Sequence, residues 1–301
     1  MRLIERLFSC DNWNIAIANK KDIYHLNDHD FKWFLEDKAE FIADPFLIEK
    51  DNLLYVFYEK LSLLHSKGEL WCAIYNHDKV LIDNNKINGF DDLNCHLSFP
   101  FVFNYNNNFY CIPETNEINK LVLYRSESFP FSWIKEQVLL NNITIVDTVY
   151  FEFNDSCWLI GSDLNNTRLF FKSNNLLSND WQQVFPKCSY ASNHQRMAGA
   201  PFIDNNKLYF ITQECGDGLY GNSLILSEII KLDENNFDEK LVEQVFPFDE
   251  HYSKGIHTFN MSDKFIVIDS KRRKYSIFMP LIKLIYNLKT KNRLRNNQKV
   301  L

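Results

Sequence analysis

The sequence predicts an all-β protein, a five-bladed β-propeller with a short basic C-terminal helical tail. Three observations carry this. A unit of about fifty residues recurs five times, its strands are short and joined by Asn-rich turns, and a run of cations without an acid closes the chain. At 301 residues, 46% hydrophobic and 24% charged, the chain buries ample core and is neither disordered, collagen-like nor a disulfide mini-scaffold.

The repeat unit joins a small or polar start and an apolar run, through an Asn/Asp turn, to an aromatic-rich strand ending in a polar residue. It reads as 42–48 running to 55–59, 97–103 to 109–114, 146–151 to 158–160, 198–203 to 208–211, and 256–260 to 265–269. The equivalent positions Pro45, Pro100, Thr148, Pro201 and Thr258 are 55, 48, 53 and 57 residues apart. That is the size of a four-stranded blade. Residues 69–75 and 120–125 supply outer strands. A β-sandwich also uses many short strands but does not explain this register. With only 8 Gly, turns fall to Asn pairs: Asn84-Asn85, Asn106-Asn107, Asn165-Asn166, Asn174-Asn175 and Asn205-Asn206. Asn tolerates the left-handed backbone. The predicted division is a propeller over 1–270, with blades starting near 44, 99, 147, 200 and 257, and a tail over 271–301.

The net charge of −6 conceals an asymmetry: ten Lys/Arg and no Asp or Glu follow Ser270, so residues 1–270 carry 23 basic and 39 acidic side chains, a net of −16. That balance argues against a nucleic-acid-binding body. Seven scattered cysteines without C-x-x-C predict buried, reduced thiols in a cytoplasmic protein. No secretory signal is visible at the N-terminus. The longest apolar stretch, 275–288, is broken by Pro280 and Lys283 and is too short to span a bilayer.

Inner strands of a propeller start at one mouth of the channel, so their first polar residues converge. Asp44 and Asp147 share one repeat position, taken by Phe99, Ala200 and His257 in the other blades. Two carboxylates across a channel suit glycosyl-transfer chemistry; turn formation is the competing reading for both. Glu59 and Glu114 end matching strands, where blade-end hydrogen bonding competes with a catalytic role for Glu114. His96 and His257 lie near strand starts, either as site groups or as satisfied structural histidines. His25 and His29 have helical metal spacing but no third ligand nearby. No metal and no cofactor is expected, and no P-loop or dinucleotide motif is present.

The run 42–46 (Ile-Ala-Asp-Pro-Phe) and 146–148 (Val-Asp-Thr) resemble the five-bladed furanosidase propellers of glycoside hydrolase families 43, 32 and 68. Over residues 40–270 the chain more closely resembles the propeller-like N-terminal domain of plant glucosamine inositolphosphorylceramide transferases and bacterial stand-alone relatives. The shared motifs are 43–46 (Ala-Asp-Pro-Phe), 68–71 (Gly-Glu-Leu-Trp), 97–103, 113–115 (Pro-Glu-Thr), 123–125 (Leu-Tyr-Arg), 146–148 and 255–260 (Gly-Ile-His-Thr-Phe-Asn). The resemblance implies that Asp44 is the catalytic base or nucleophile, that Asp147 orients it, and that Glu114 is a further catalytic carboxylate. His96 and Arg125 join the substrate-binding candidates. The hydrolases carry a general-acid Glu in a Glu-Gly-Pro motif at the fourth blade, where this chain has Arg196-Met197-Ala198-Gly199-Ala200-Pro201. A phosphate leaving group needs positive charge rather than a proton, so Arg196, with Lys254 and His257, is expected to bind donor phosphate.

In the tail, Leu281, Leu284, Ile285 and Leu288 follow helical spacing among cations. Two readings stand: an anchor on anionic lipid, or a helix packed on the propeller. The expected protein is a cytoplasmic glycosyltransferase, peripheral to the inner face of the membrane, with a furanosyl donor. Its expected partners are a sugar donor, a glycan or glycolipid acceptor in bacterial surface-polysaccharide or glycolipid assembly, and an anionic membrane surface; no nucleic acid is expected. The alternatives are a glycoside hydrolase or phosphorylase, and a non-catalytic carbohydrate-binding propeller.

Overall fold

In a computed structural model, which describes all residues except 1, 22, 24, 35–39, 189–195, 216–219 and 299–301, the strands pair into five sheets. Blade one is Phe41–Lys50, Leu53–Leu61, Gly68–Asn76 and Leu81–Lys86; blade two is Ser98–Tyr105, Asn108–Glu114, Lys120–Ser128 and Ser132–Asn141. Blade three is Val146–Phe153, Ser156–Ser162, Arg168–Ser173 and Gln182–Val184. Blade four has a broken inner strand, Arg196–Met197 and Phe202–Asp204, followed by Lys207–Gln213, Leu224–Leu232 and Asn236–Val245. Within each blade the successive strands run antiparallel, as the repeat predicts.

Blade five is closed by the other end of the chain. Gly255–Met261 and Phe265–Tyr275 are joined by N-terminal Ser9–Asn19 and Lys32–Trp33, with pairing from Ser9↔Tyr275 to Asn19↔Phe265. The ring is therefore latched by a long backbone ladder, so blade one cannot separate from blade five without breaking it. This also moves the expected boundary at 270: Lys271, Arg272, Arg273 and Lys274 finish a propeller strand, and the helical part of the tail starts at Met279.

The turns follow from sequence. Asp51-Asn52, Asn106-Asn107, Asn154-Asp155 and Asn205-Asn206 join the first two strands of blades one to four, and both residues of each pair have positive φ. That is the hairpin geometry Asn and Asp tolerate best among residues with a Cβ. Asn84-Asn85 is not a turn. It lies inside Leu81–Lys86, where Asn84 Oδ1 accepts the Tyr58 hydroxyl at 2.8 Å. Aromatic side chains fill the space between blades, among them Phe46, Phe57, Phe99 and Phe210, all fully buried. Cys10, Cys72, Cys95, Cys111, Cys157 and Cys215 are buried free thiols; Cys188 has no described burial.

A further repeat is invisible in composition. The inner-strand register skips at Ala43/Phe46, Ser98/Phe101, Val146/Val149 and Ile256/Phe259. At these bulges Asp44, Phe99 and Asp147 have φ of 54°, 44° and 50°. A left-handed phenylalanine is a genuine outlier, so the bulge is imposed by the fold rather than chosen by the residue. It re-aims Asp44 and Asp147 at the channel mouth, while Phe99 packs on Phe46 in the core.

Candidate functional site

Each left-handed residue is held by a carboxylate from the preceding blade. The Asp44 N–H donates to Asp269 Oδ2 at 2.9 Å, the Phe99 N–H to Asp44 Oδ2 at 3.2 Å, and the Asp147 N–H to Glu114 Oε2 at 3.2 Å. Asp44, Glu114 and Asp269 thus cap the bulges and at the same time bring carboxylates together at the mouth. Asp44 Oδ1 also accepts the Thr258 hydroxyl at 3.1 Å and lies 3.4 Å from His257 Nε2.

His257 is clamped between two acids. Its Nδ1–H donates to Asp269 Oδ1 at 2.7 Å, an oxygen that also accepts the backbone N–H groups of His257 and Thr258. Its ring stacks on Trp13 at 3.9 Å between centroids. Gly221, at φ +59°, makes room for this stack, because a Cβ there would lie 2.7 Å from His257 Cβ and 2.8 Å from Trp13 Cη2.

Beside this wall, Arg196 Nε donates to Asp147 Oδ2 at 2.6 Å, and Gln213 Nε2 donates to the same oxygen at 3.0 Å. Arg196 is 18% exposed and its guanidinium lies over the Tyr220 ring, 5.4 Å from the centroid. Lys271 Nζ donates to the Tyr220 carbonyl at 2.7 Å and stands 4.8 Å from the Trp13 ring centre. A third cluster completes the mouth: His96 Nε2 sits 3.1 Å from Glu59 Oε1, and His96 Nδ1 accepts the Gly68 N–H. In that arrangement the Nε2–H faces Glu59, and although burial works against charge on His96, Glu59 outweighs it and the pKa is raised. A Cβ at Gly68 would meet Leu97 O at 2.5 Å and Glu59 Oε1 at 2.6 Å, so only glycine lets this pair form.

The electrostatics follow from burial. Desolvation pushes Asp44 up to about 7; His257 opposes this, and Glu59, Asp269 and Asp147 add to it. Desolvation likewise pushes Glu114 up to about 8, reinforced by Asp147 and resisted by Arg196 and His96. Burial works against charge on His257, but Asp269 and Asp44 outweigh it and its pKa is raised. The mouth therefore combines two carboxyls, Asp44 and Glu114, that hold protons near neutrality with Arg196 and His257, whose charged forms their acidic neighbours favour.

Asp44, Asp147, Glu114, His96, Arg196 and His257 from the sequence reading all reach the mouth. Arg125 does not: it sits on the third strand of blade two, where Nε pairs with Glu136 at 2.9 Å. The Lys254 side chain is exposed and its N–H donates to the Lys271 carbonyl, while the ammonium beside Tyr220 is that of Lys271. Sequence reasoning missed Lys271, Trp13, Tyr220, Gln213 and Asp269, and left Glu59 as structural. One available signal was the polar residue that closes the second apolar run in four of the five repeat units, at the strand end for Glu114 and Gln213 and inside the strand for Glu59 and Asp269. Glu59, Glu114, Gln213 and Asp269 all occupy that place, and all face the mouth.

Asp44, His257 and Asp269 bring ligand atoms within 4.8 Å of one another, a possible cation geometry. Asp269 is already filled by three backbone N–H groups and His257, so the trio works as a hydrogen-bond relay and is not a fit for a metal.

Residues 35–278 match the family model described as glucosamine inositolphosphorylceramide transferase 1, N-terminal. The chain is 34% identical over 234 residues to glucosamine inositolphosphorylceramide transferase 1 of Arabidopsis thaliana, covering 74% of this chain and 29% of the relative. It is 30% identical over 210 residues to the protein of that name from Oryza sativa subsp. indica, covering 67% and 28%. The chain thus spans less than a third of the length of these relatives. Among solved structures it is similar to native Bacillus subtilis arabinanase, with a TM-score of 0.54, 13% identity, and coverage of 76% and 94%. It is also similar to a beta-xylosidase/alpha-arabinofuranosidase from a compost microbial metagenome, with a TM-score of 0.56, 9% identity, and coverage of 78% and 90%. At such identities these two likenesses show the propeller fold alone.

Proposed function

The chain belongs to the family of the N-terminal region of glucosamine inositolphosphorylceramide transferase 1, and on that premise we propose that its channel mouth is a glycosyl-transfer site for a phosphate-linked sugar donor. The observation that carries this reading is the partly exposed Arg196 bonded to Asp147. It stands where the furanosidase resemblance places a general acid. A sugar leaving a phosphate needs charge stabilisation at that point, and Arg196 supplies it, with Lys271 on the neighbouring wall.

Asp44 acts as the base. It takes the proton of an acceptor hydroxyl as that oxygen attacks the anomeric carbon and the bond to phosphate breaks. A carboxyl near 7 is matched to that task at neutral pH. Asp147, locked by Arg196 and Gln213, orients sugar hydroxyls, and Trp13 and Tyr220 with His257 form an aromatic wall for the ring. The acceptor is a glycan or glycolipid, and a furanosyl donor is the first to test.

One observation favours a second reading, glycoside hydrolysis: Glu114, pushed up to about 8, retains a proton that could serve a leaving alkoxide. Purified chain incubated with nucleotide-sugars and a lipid-linked acceptor, and separately with aryl furanosides, distinguishes the two. Transfer is the expected result. Release of aryl alcohol without transfer assigns the hydrolase, and saturable sugar binding without turnover assigns a binding module; either overturns the proposal.

A further inference from the structure

The C-terminal helix α2 (the second helix, Met279–Gln298; α1 is Arg2–Phe8) is apolar on two sides. Its inner side is anchored to the propeller. Met279 is buried with Cys10 and Leu63, against which Ile282 and Tyr286 pack. Arg293 forks onto Glu117 with two contacts of 2.9 Å, and Asn297 Nδ2 donates to the Asn94 carbonyl. Lys289 Nζ donates to the Leu64 carbonyl and Lys283 Nζ to that of Arg6 in α1.

With that side occupied, the other side is left bare. Ile277, Phe278, Leu281, Leu284 and Leu288 are 77, 63, 56, 55 and 55% exposed. Residues 281, 284 and 288 follow the i, i+3, i+7 spacing of a single helical face, and Ile277 and Phe278 lie in the turn just before it. The adjoining α1 adds Leu7, 49% exposed, and Phe8. A contiguous apolar face of this kind on a soluble surface marks a contact site. Exposed Lys291 and Arg295 continue the stripe beyond Leu288, and Arg273 lies at its other end. Two acids lie nearby: Glu5 accepts the Tyr275 hydroxyl, and Asp11 pairs with Arg273 at 2.6 Å.

We propose that this paired-helix face docks on an anionic lipid bilayer, with α2 lying in the plane of the interface. Charge chooses the occupant: the segment after Ser270 has ten cations and no acid, two of them, Lys271 at the channel mouth and Arg293 on Glu117, turned away from this face, while the rest of the chain carries −16. Anionic headgroups attract the first and repel the second, which orients the body away from the surface. A second copy would present the same cations to themselves. No described helix is long and apolar enough to cross a membrane, so the contact is interfacial.

The anchors of α2 are the loops around the mouth. Leu64 lies between the second and third strands of blade one, and Glu117, which also accepts the His96 N–H, lies at the same level of blade two. Docking therefore sets the channel mouth beside the headgroups.

The test uses the full chain and sedimentation with phosphatidylglycerol-containing vesicles. Binding is expected at low salt, with loss at high salt and on pure phosphatidylcholine. The exposed-face variant Leu281→Glu/Leu284→Glu/Leu288→Glu should bind at least about tenfold more weakly with an unchanged circular dichroism spectrum. If that variant misfolds, Lys291→Glu/Arg295→Glu tests the cationic end by the same readout. Absence of binding by the intact chain at low salt overturns the proposal, as does undiminished binding by these variants. A dimer in analytical ultracentrifugation that the leucine variant dissociates, without vesicle binding, reassigns the face to a second copy. No sugar enters the assay, so the result is independent of the transfer reading.

Discussion

Arg196 and Asp147 form a 2.6 Å ion pair between blades four and three, 49 residues apart in sequence. Removing the guanidinium leaves Asp147 with Gln213 as its side-chain donor and withdraws the charge that holds Glu114 down. Arg196→Gln should lower transfer by about 10² or more and move the Glu114 titration above its present value of about 8. Activity against pH reads both. Arg125→Gln, on the outer strand, should leave activity unchanged and stability within about 0.5 kcal/mol. An equal loss in the two variants would detach Arg196 from the chemistry.

Asp44 is both cap and proposed base, and two substitutions separate the roles. Asparagine tolerates φ of 54° and retains an oxygen for the Phe99 N–H. Asp44→Asn should therefore lose about 10² in activity with little change in Tm. Asp44→Ala adds left-handed strain and orphans the Phe99 N–H, so it should also lose about 2–4 kcal/mol by chemical denaturation. Full activity in the asparagine variant would leave Asp44 as a cap alone.

The raised carboxyls fix the sign of a pH effect. Asp44 goes from 3.8 to about 7 and Glu114 from 4.5 to about 8 on folding. Between about pH 4 and 8 the folded chain holds more protons at these groups than the unfolded chain. Their contribution to stability therefore falls as pH rises through this window, and levels off above it. Denaturation midpoints of the wild type and of Asp44→Asn/Glu114→Gln should converge at acid pH, relative to their separation at pH 8, as the wild type recovers stability. A wild-type disadvantage that grows toward acid pH would contradict the assignment.

Asp269 is fully buried and receives three backbone N–H groups as well as the His257 ring. Asp269→Ala orphans these donors, which should cost about 3 kcal/mol or more. Asp269→Asn keeps an acceptor but removes the charge that raises His257. The imidazole titration followed by NMR should then shift downward. An unmoved titration would show that Asp44 alone sets it.

Much of the fold was legible because its signals are local. Asn and Asp at the hairpins between blade strands specify left-handed turns from two adjacent residues, and the fifty-residue repeat places Asp44, Phe99 and Asp147 in one register before any contact is known. The polar residues closing the second apolar runs, Glu59, Glu114, Gln213 and Asp269, were also present in the repeat, but a polar residue after an apolar run is common in most proteins and reveals no direction.

By itself, then, the sequence determined the blades, their turns and the convergence of Asp44 and Asp147. Only tertiary structure decided which cations stand beside them. Lys254 and Lys271 face each other across one hairpin, and Arg125 shares the alternating pattern of its strand with any other, so chain position cannot choose among them. The Thr258–Asp44 and Asp44–Asp269 bonds join residues 214 and 225 positions apart, and Trp13 reaches His257 because the N-terminal strand latches the last blade. Those contacts exist only once the ring closes, because closure brings the first and fifth blades, and with them both ends of the chain, to the same side of the channel.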